Sequence, residues 1–265
     1  MFPPEIFSEI FSFLASEARV LVACSQAHPI FARLVEPTLY AHVIVHNNDL
    51  DTEDEHHLKL KPYQLSALLS NNPRILNYLR SLCVDHSKLY NDEVITAILP
   101  GLKLERIQLT SAGKGSFVDW QSFPMALRTA FVACISTSFM KEICLDKIVK
   151  IPLTSFVGCA GLKRLALSHL VVSPSHKTIN FPHLDALELS DWKMDHHSHH
   201  FFSWALTHAC GLRSLTLSTP WKEVICRFLP HLLTICSTSL ANLSLYYVDP
   251  CKSIDPFARI VLMLS

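Results

Sequence analysis

The chain has 265 residues, 49% of them hydrophobic and only 17% charged, which argues against disorder over most of its length and for a substantial core. Lysine plus arginine and aspartate plus glutamate both number 23, a balance that denies the chain as a whole the basic field needed to hold a phosphate backbone. Nine cysteines without a C-x-x-C pair fit reduced, mostly buried thiols rather than a disulfide framework, and so point to the cytosol or nucleus.

No basic segment precedes an apolar run at the N-terminus, and no stretch reaches the ~18 uncharged apolar residues of a membrane span, so a soluble intracellular protein is expected. The sequon-like Asn242-Leu243-Ser244 sits in an alternating apolar segment where a glycan would clash with burial, and it is read as chance.

The first predicted element is a helix over residues 3–14. Pro3 and Pro4 suit its opening, where a missing N–H costs nothing, and Glu5 and Glu9 lie near its positive end. At 100° per residue Ile6, Phe7, Ile10, Phe11, Phe13 and Leu14 cover an arc of about 160°, wide enough to need two neighbours. A second helix is predicted over 18–24 and a third over 30–40, separated by His28-Pro29 because a residue before proline avoids helical geometry. Val43-Ile44-Val45 reads as a strand, 47–57 as an exposed acidic loop, and 62–71 as a helix stopped by Asn72-Pro73.

From there an L-x-x-L-x-L pattern recurs. Leu162/Leu165/Leu167, Leu184/Leu187/Leu189, Leu212/Leu215/Leu217 and Leu240/Leu243/Leu245 are strict copies; Leu79/Leu82/Val84, Leu104/Ile107/Leu109 and Met140/Ile143/Leu145 are looser ones. Leu99/Leu102/Leu104 also matches, but Pro100-Gly101 inside it reads as a turn leading into a strand. Between the copies, 119–136, 153–159, 197–210 and 221–236 carry apolar residues at helical spacing. Gly161 and Gly211 directly precede the first leucine of a copy, where a glycine with positive φ could end a helix and turn into the next strand.

The fold class expected is therefore α/β: a short three-helix module, then an irregular leucine-rich-repeat solenoid with parallel strands on its concave side and helices on its convex side. No repeat buries its apolar face alone, so stacking is obligatory. Leu170, Trp192, Pro220 and Val248 stand eight residues after the first leucine of their copies and read as further inward packing. The apolar run Arg259 to Ser265 reads either as a helix sealing the end or as the edge of a further repeat. Residues between the leucines face the other side of the sheet, which makes Lys163, Arg164, Asp185, Arg213 and Asn242 candidate contacts for a protein target.

Three segments of the N-terminal region, Phe2-Pro3-Pro4-Glu5-Ile6-Phe7-Ser8-Glu9-Ile10-Phe11-Ser12-Phe13-Leu14, Leu21-Val22-Ala23-Cys24-Ser25 and Pro37-Thr38-Leu39-Tyr40, together resemble an F-box of the kind abundant in basidiomycete fungi. Leu65 to Pro73 and Leu79-Arg80-Ser81-Leu82 are similar to the junction that precedes divergent leucine-rich repeats in such proteins. Phe2 stands where leucine is usual, and Phe31 takes the place of the family's tryptophan. The resemblance implies an adaptor-binding module over 1–45, a junction over 46–78 and target-binding repeats over 79–265. It implies a Skp-type adaptor as partner, linked through it to cullin and RING subunits, with Phe2, Pro3, Ile6, Ile10, Leu14 and Leu21 contacting the adaptor. On that reading the chain is a substrate-recognition subunit without catalysis or cofactor; the alternative is a leucine-rich scaffold outside any ubiquitin ligase.

Other motifs read as structural. His196, His197, His199 and His200 could supply metal ligands, since His196 and His200 would share one helical face, but Asp195 equally caps a helix starting here and no further ligand stands at fixed spacing. Gly113-Lys114-Gly115-Ser116 lacks the Walker order of residues and reads as a polar loop. Cys24, Cys83, Cys134, Cys144, Cys159, Cys210 and Cys226 lie in apolar surroundings, where a thiol packs as a small hydrophobe with a raised pKa. No nucleophile elbow or local catalytic signature is present.

Overall fold

Proline sets the start of most of the helices. In the computed structural model, which describes residues 3–46, 57–85, 93–110, 117–168, 183–190, 211–219, 230, 233–236, 238–248 and 257–263, helix α1 (Pro4–Phe13) opens on a proline and has Glu5 in its first turn. Helix α2 spans Ala18–Ala27, three residues longer than its periodicity predicts. Before α3 (Pro29–Leu39), His28 is extended at φ −159°, ψ 141°, as a residue before proline prefers, and its Nδ1 accepts the Ile30 N–H at 3.1 Å. These three helices close a small core of Phe11, Ala18, Leu21, Val35 and Leu39.

Strand β1 (His42–Val45) follows after a two-residue break and pairs in parallel with β2 (Leu58–Leu60) on one side. On its other side lies β3 (Ser81–Asp85), reached through α4 (Pro62–Asn71) and a 3₁₀ turn at Pro73–Asn77. Helix α5 (Glu93–Ile98), a 3₁₀ turn at Leu99–Gly101 and β4 (Arg106–Thr110) come next, so the Leu99 match is indeed a turn before a strand. The chain continues through β5 (Val118–Asp119), α6 (Met125–Ile135), β6 (Glu142–Leu145), β7 (Ile148–Val149), β8 (Arg164–Ser168), β9 (Ala186–Ser190), β10 (Ser214–Thr219), β11 (Asn242–Val248) and β12 (Phe257–Met263).

The result is an α/β fold with a ten-stranded sheet ordered β2-β1-β3-β4-β6-β8-β9-β10-β11-β12. Its first nine members are mutually parallel and β12 is antiparallel to β11; β5 and β7 form a separate parallel pair. Register explains the leucine pattern. Val43, Leu82, Ile107, Ile143, Leu165, Leu187, Leu215 and Leu243 align across the sheet, as do Val45, Val84, Leu109, Leu145, Leu167, Leu189, Leu217 and Leu245. No side chain at the three signature positions of any of the copies, strict or loose, is more than 8% exposed. All belong to one core with Leu65, Leu69, Ile95, Phe131, Cys134, Ile135, Phe156 and Cys159, which places α4, α5 and α6 on the leucine side. Truncating any of these leucines to alanine costs about 2–5 kcal/mol.

Several sequence expectations change. The segment 153–159 forms only a 3₁₀ turn at Leu153–Phe156, because the run before Gly158 is too short to offset the cost of nucleating an α-helix. Over 119–136 the helix waits until Met125, since Phe123 precedes Pro124 and is held extended. The apolar run at 257–263 is a strand rather than a helix, consistent with Phe257 and the β-branched Ile260 and Val261. Strand β1 joins the sheet, so the sheet begins within residues 1–45.

Gly211 has the expected positive φ of 116°, but Gly161 is needed for space instead: a Cβ there would lie 2.6 Å from the Ser138 carbonyl oxygen and 2.9 Å from that of Met140. The expected loop over 47–57 lies outside the described residues apart from His57. So do the helix over 197–210, all of 221–236 except 230 and 233–236, and the side chains of Leu170, Trp192, Pro220 and Val248.

Candidate functional site

Two surfaces collect the residues singled out above. The first is on the three-helix module, where the wide apolar arc of α1 divides into two stripes. Phe7, Phe11 and Leu14 turn inward, with Phe7 and Phe11 against Phe31 of α3 at ring distances of 5.1 and 6.0 Å. Ile6, Ile10 and Phe13 repeat at helical spacing along the neighbouring stripe and are 42%, 46% and 79% exposed. Val20 on α2 and Ile30 on α3 are exposed as well. One neighbour of the arc is thus α3, and the other flank is open to solvent.

Of the residues expected to meet an adaptor, Pro3 is exposed, Ile6 and Ile10 lie on the open stripe, and Leu14 is half-buried against the module core. Leu21 is 1% exposed and packs within the chain, supporting the surface from below rather than forming it. Phe2 lies outside the described residues. Phe13, Val20 and Ile30 fall outside the set expected to meet an adaptor, although the spacing of 6, 10 and 13 marks the first of them.

The second surface is the sheet face opposite the leucines. The two residues between the first leucines of each copy turn the chain into its strand, and their backbone is used in a repeating way. The Ala41 carbonyl accepts the N–H groups of both Arg80 and Ser81, at 3.0 and 2.9 Å, and the carbonyls of Arg80, Glu105, Lys141, Lys163, Asp185 and Arg213 each accept two N–H groups from the next strand in the same manner. Only the backbone is constrained here, which leaves the side chains free to vary.

Those side chains form two parallel rows. The first runs Arg80, Glu105, Lys141, Lys163, Asp185, Arg213, and the second Ser81, Arg106, Glu142, Arg164, Ala186, Ser214, Asn242. Lys163, Arg164, Asp185, Arg213 and Asn242 are all exposed; Arg164 and Asn242 open strands β8 and β11, while Lys163, Asp185 and Arg213 directly precede theirs. The structure adds Arg80, Glu105, Arg106, Lys141, Glu142 and, one position further along β9, Glu188. These were missed because they belong to the looser copies or to the second outward position, although the L-x-x-L frame marks most of them.

Ion pairs cross the strands. Glu105 lies 2.7 Å from Lys141 and 3.7 Å from Arg80; Glu142 lies 3.5 Å from both Arg106 and Arg164; Arg164 also reaches Glu188 at 3.1 Å, and Lys163 reaches Asp185 at 3.8 Å. The hydrogen bond from Lys141 holds the Glu105 carboxyl below its ordinary pKa. Further along the same face, Cys144 is half-buried and its thiol is pushed up to about 11 by burial.

The two surfaces are joined without a gap. Tyr40 and Leu58 pack against both cores, and Arg74 donates to Glu36 at 2.7 Å across the junction. Cys134 and Cys159, buried on the leucine side, have thiols pushed up to about 12 by burial. The histidines at 196, 197, 199 and 200, the loop at 113–116, Cys210 and Cys226 lie outside the described residues. No described helix is long and apolar enough to cross a membrane.

No family model, no curated protein and no solved structure matches the chain.

Proposed function

We propose that the chain is a non-catalytic substrate-recognition subunit of a Skp-cullin-F-box ubiquitin ligase, docking on a Skp-type adaptor through its first three helices and holding a protein target on the outer face of the sheet. The observation that carries this reading is the open stripe of Ile6, Ile10 and Phe13 beside a module core that is already closed. Large apolar side chains at helical spacing, left wet on a module with its own packed centre, mark a docking face. The strands following one another in chain order, with the signature leucines aligned in register, support the finer reading of 79–265 as a leucine-rich solenoid whose outward face is the concave one. Such a subunit performs no bond chemistry and acts by raising the effective concentration of target near the charged enzyme.

Co-purification of adaptor and cullin with the intact chain tests it. Deleting residues 1–45 would also remove β1 from the sheet, so the informative variant is Ile6→Asp/Ile10→Asp, which alters exposed positions only. Loss of both partners in that variant, with the fold retained, is the expected outcome. Failure of the wild-type chain to retain adaptor would leave the leucine-rich scaffold outside a ubiquitin ligase.

A further inference from the structure

Helix α6 is covered on one flank only, yet it is apolar nearly all round. Of its 11 residues only Arg128 and Thr129 carry a charge or a hydroxyl, and Thr129 Oγ1 is turned back onto the Met125 carbonyl at 2.9 Å. Ala130, Phe131, Cys134 and Ile135 are buried against the core. At 100° per residue, Met125, Arg128, Thr129, Val132 and Ala133 fall on an arc of about 140° on the opposite flank. Met125 is 76% exposed, and Ala126, Thr129 and Ala133 are exposed as well. A helix without a polar face is ordinarily covered on both sides, so α6 lacks a neighbour.

The bare flank also carries an unanswered charge. Together with Trp120 its residues line an open groove of about 440 Å³, in which Arg128 is the one cation among the described residues. Arg128 Nη1 donates to Gln121 Oε1 at 2.9 Å, while Nε is closed off from solvent without an acceptor. No carboxylate pairs with this guanidinium among the described residues. Asp119, just before Trp120, is taken by Lys150 at 2.6 Å and by the Gln121 N–H at 2.8 Å. Nε and Nη2 point to the same side of a guanidinium, the edge on which a carboxylate accepts two parallel hydrogen bonds. A shielded donor without an acceptor is costly, which marks this edge as the place where an acceptor is missing.

We infer that an amphipathic helix of a partner protein lies along α6, with its apolar stripe on Met125, Val132 and Ala133 and a Glu or Asp of that stripe against Arg128. Ala126, Thr129 and Ala133 are small enough to let two helix axes approach to roughly 8–10 Å. Met125 supplies an adaptable apolar contact at the end of the groove. A strand fits worse, because the flank of a helix offers no backbone groups to pair with it. A lipid surface fits worse too, since one cation without a basic rim gives anionic headgroups little hold. The groove lies on the leucine side, apart from α1 and from the outward sheet face, so the inference stands or falls separately from the ligase reading.

The probe is a fluorescein-labelled, stapled alanine-rich helix that bears a leucine stripe with one glutamate in it, titrated by anisotropy against the full chain. Binding should weaken about ten-fold in Met125→Asp, in Arg128→Gln, and when the peptide's glutamate is replaced by glutamine, and should be unchanged by Arg33→Glu on α3. Charge reversal is the decisive arm: Arg128→Glu should reject the glutamate peptide and accept one with lysine in its place. Met125→Asp alters a side chain that is 76% exposed, so it keeps the test informative should the variants at 128 fold poorly. Absence of binding, equal binding of the glutamine peptide, or indifference to Met125→Asp overturns the inference. So does self-association of the free chain that Met125→Asp abolishes in sedimentation, which would make a second copy the cover, or co-sedimentation with phosphatidylcholine vesicles that the same substitution abolishes.

Discussion

Arg74, in the turn that follows α4, donates from its guanidinium to the Glu36 carboxylate of α3 at 2.7 Å, a contact between residues 38 positions apart. Glu36 is 13% exposed at its side chain and Arg74 48%, so the pair is half shielded from solvent. It stands where the helical module meets the sheet, next to Tyr40, whose hydroxyl pKa is raised by burial and by Glu36. Replacing Arg74 with Ala should cost at most about 1 kcal/mol, the range of partly exposed pairs. A double-mutant cycle with Glu36→Gln, read by chemical denaturation, should return a coupling energy in that range, and a coupling near zero would show that the junction is held by its apolar contacts alone.

Ile10→Asp should leave the thermal midpoint nearly unchanged while abolishing the proposed adaptor capture, because the side chain is 46% exposed. Phe13→Asp should do the same. Leu21→Asp, by contrast, places a charge at a position 1% exposed and should unfold the module. Circular dichroism melts beside the capture assay distinguish the two kinds of loss; equal destabilisation by Ile10→Asp and Leu21→Asp would mean that the α1 stripe is not a free surface.

Gly161→Ala and Gly211→Ala should both destabilise, for different reasons. At 161 the new methyl group meets two carbonyl oxygens, at 2.6 and 2.9 Å, and the backbone must shift at a cost of about 1–3 kcal/mol. At 211 there is open space, and the cost of roughly 1–3 kcal/mol comes from holding a side chain at φ 116°. Gly211→Asn, which tolerates positive φ better, should recover part of the loss, whereas Gly161→Asn should be worse than Gly161→Ala. Urea unfolding midpoints of the four variants measure this.

The thiols of Cys134 and Cys159 should resist alkylation in the folded chain well above neutral pH, since both are pushed up to about 12 and fully buried. A raised pKa means that the folded state keeps the proton after the unfolded state has lost it. The stabilisation is complete below an ordinary thiol pKa near 9 and is lost as pH rises from there towards about 12. Mass spectrometry after N-ethylmaleimide at pH 8 should find these two unmodified until denaturant is added; rapid labelling in native buffer would contradict their placement.

Much of the fold was legible because the inward positions are chemically monotonous. Leu162, Leu184, Leu212 and Leu240 each open a copy that the sheet aligns, and the looser copies starting at Leu79, Leu104 and Met140 are buried just as completely. Burial accepts Ile, Val or Met where a search for leucine hesitates. Tyr40, Val43 and Val45 occupy the same register without being read as a copy, since tyrosine at the first position hid the frame.

Local chemistry misled at 153–159, where apolar residues at helical spacing suggested a helix that the short run before Gly158 does not sustain. The surfaces were only partly legible. Periodicity places Ile6 and Ile10 on an apolar arc together with Phe7 and Phe11, but which stripe α3 covers depends on Phe31, twenty residues away. The ion pairs from Glu105 to Lys141 and from Arg164 to Glu188 likewise join residues that only the sheet register makes neighbours.

Because each strand of the large sheet from β4 onward is added beside the large-sheet strand before it, its distance from β1 works as a ruler graduated in steps of about 4.8 Å. Inserting or deleting one repeat leaves the helical module unaltered and carries everything beyond it one graduation outward or inward. The position of a surface along the sheet can therefore be shifted separately from its chemistry, by changing the number of strands rather than the residues they carry.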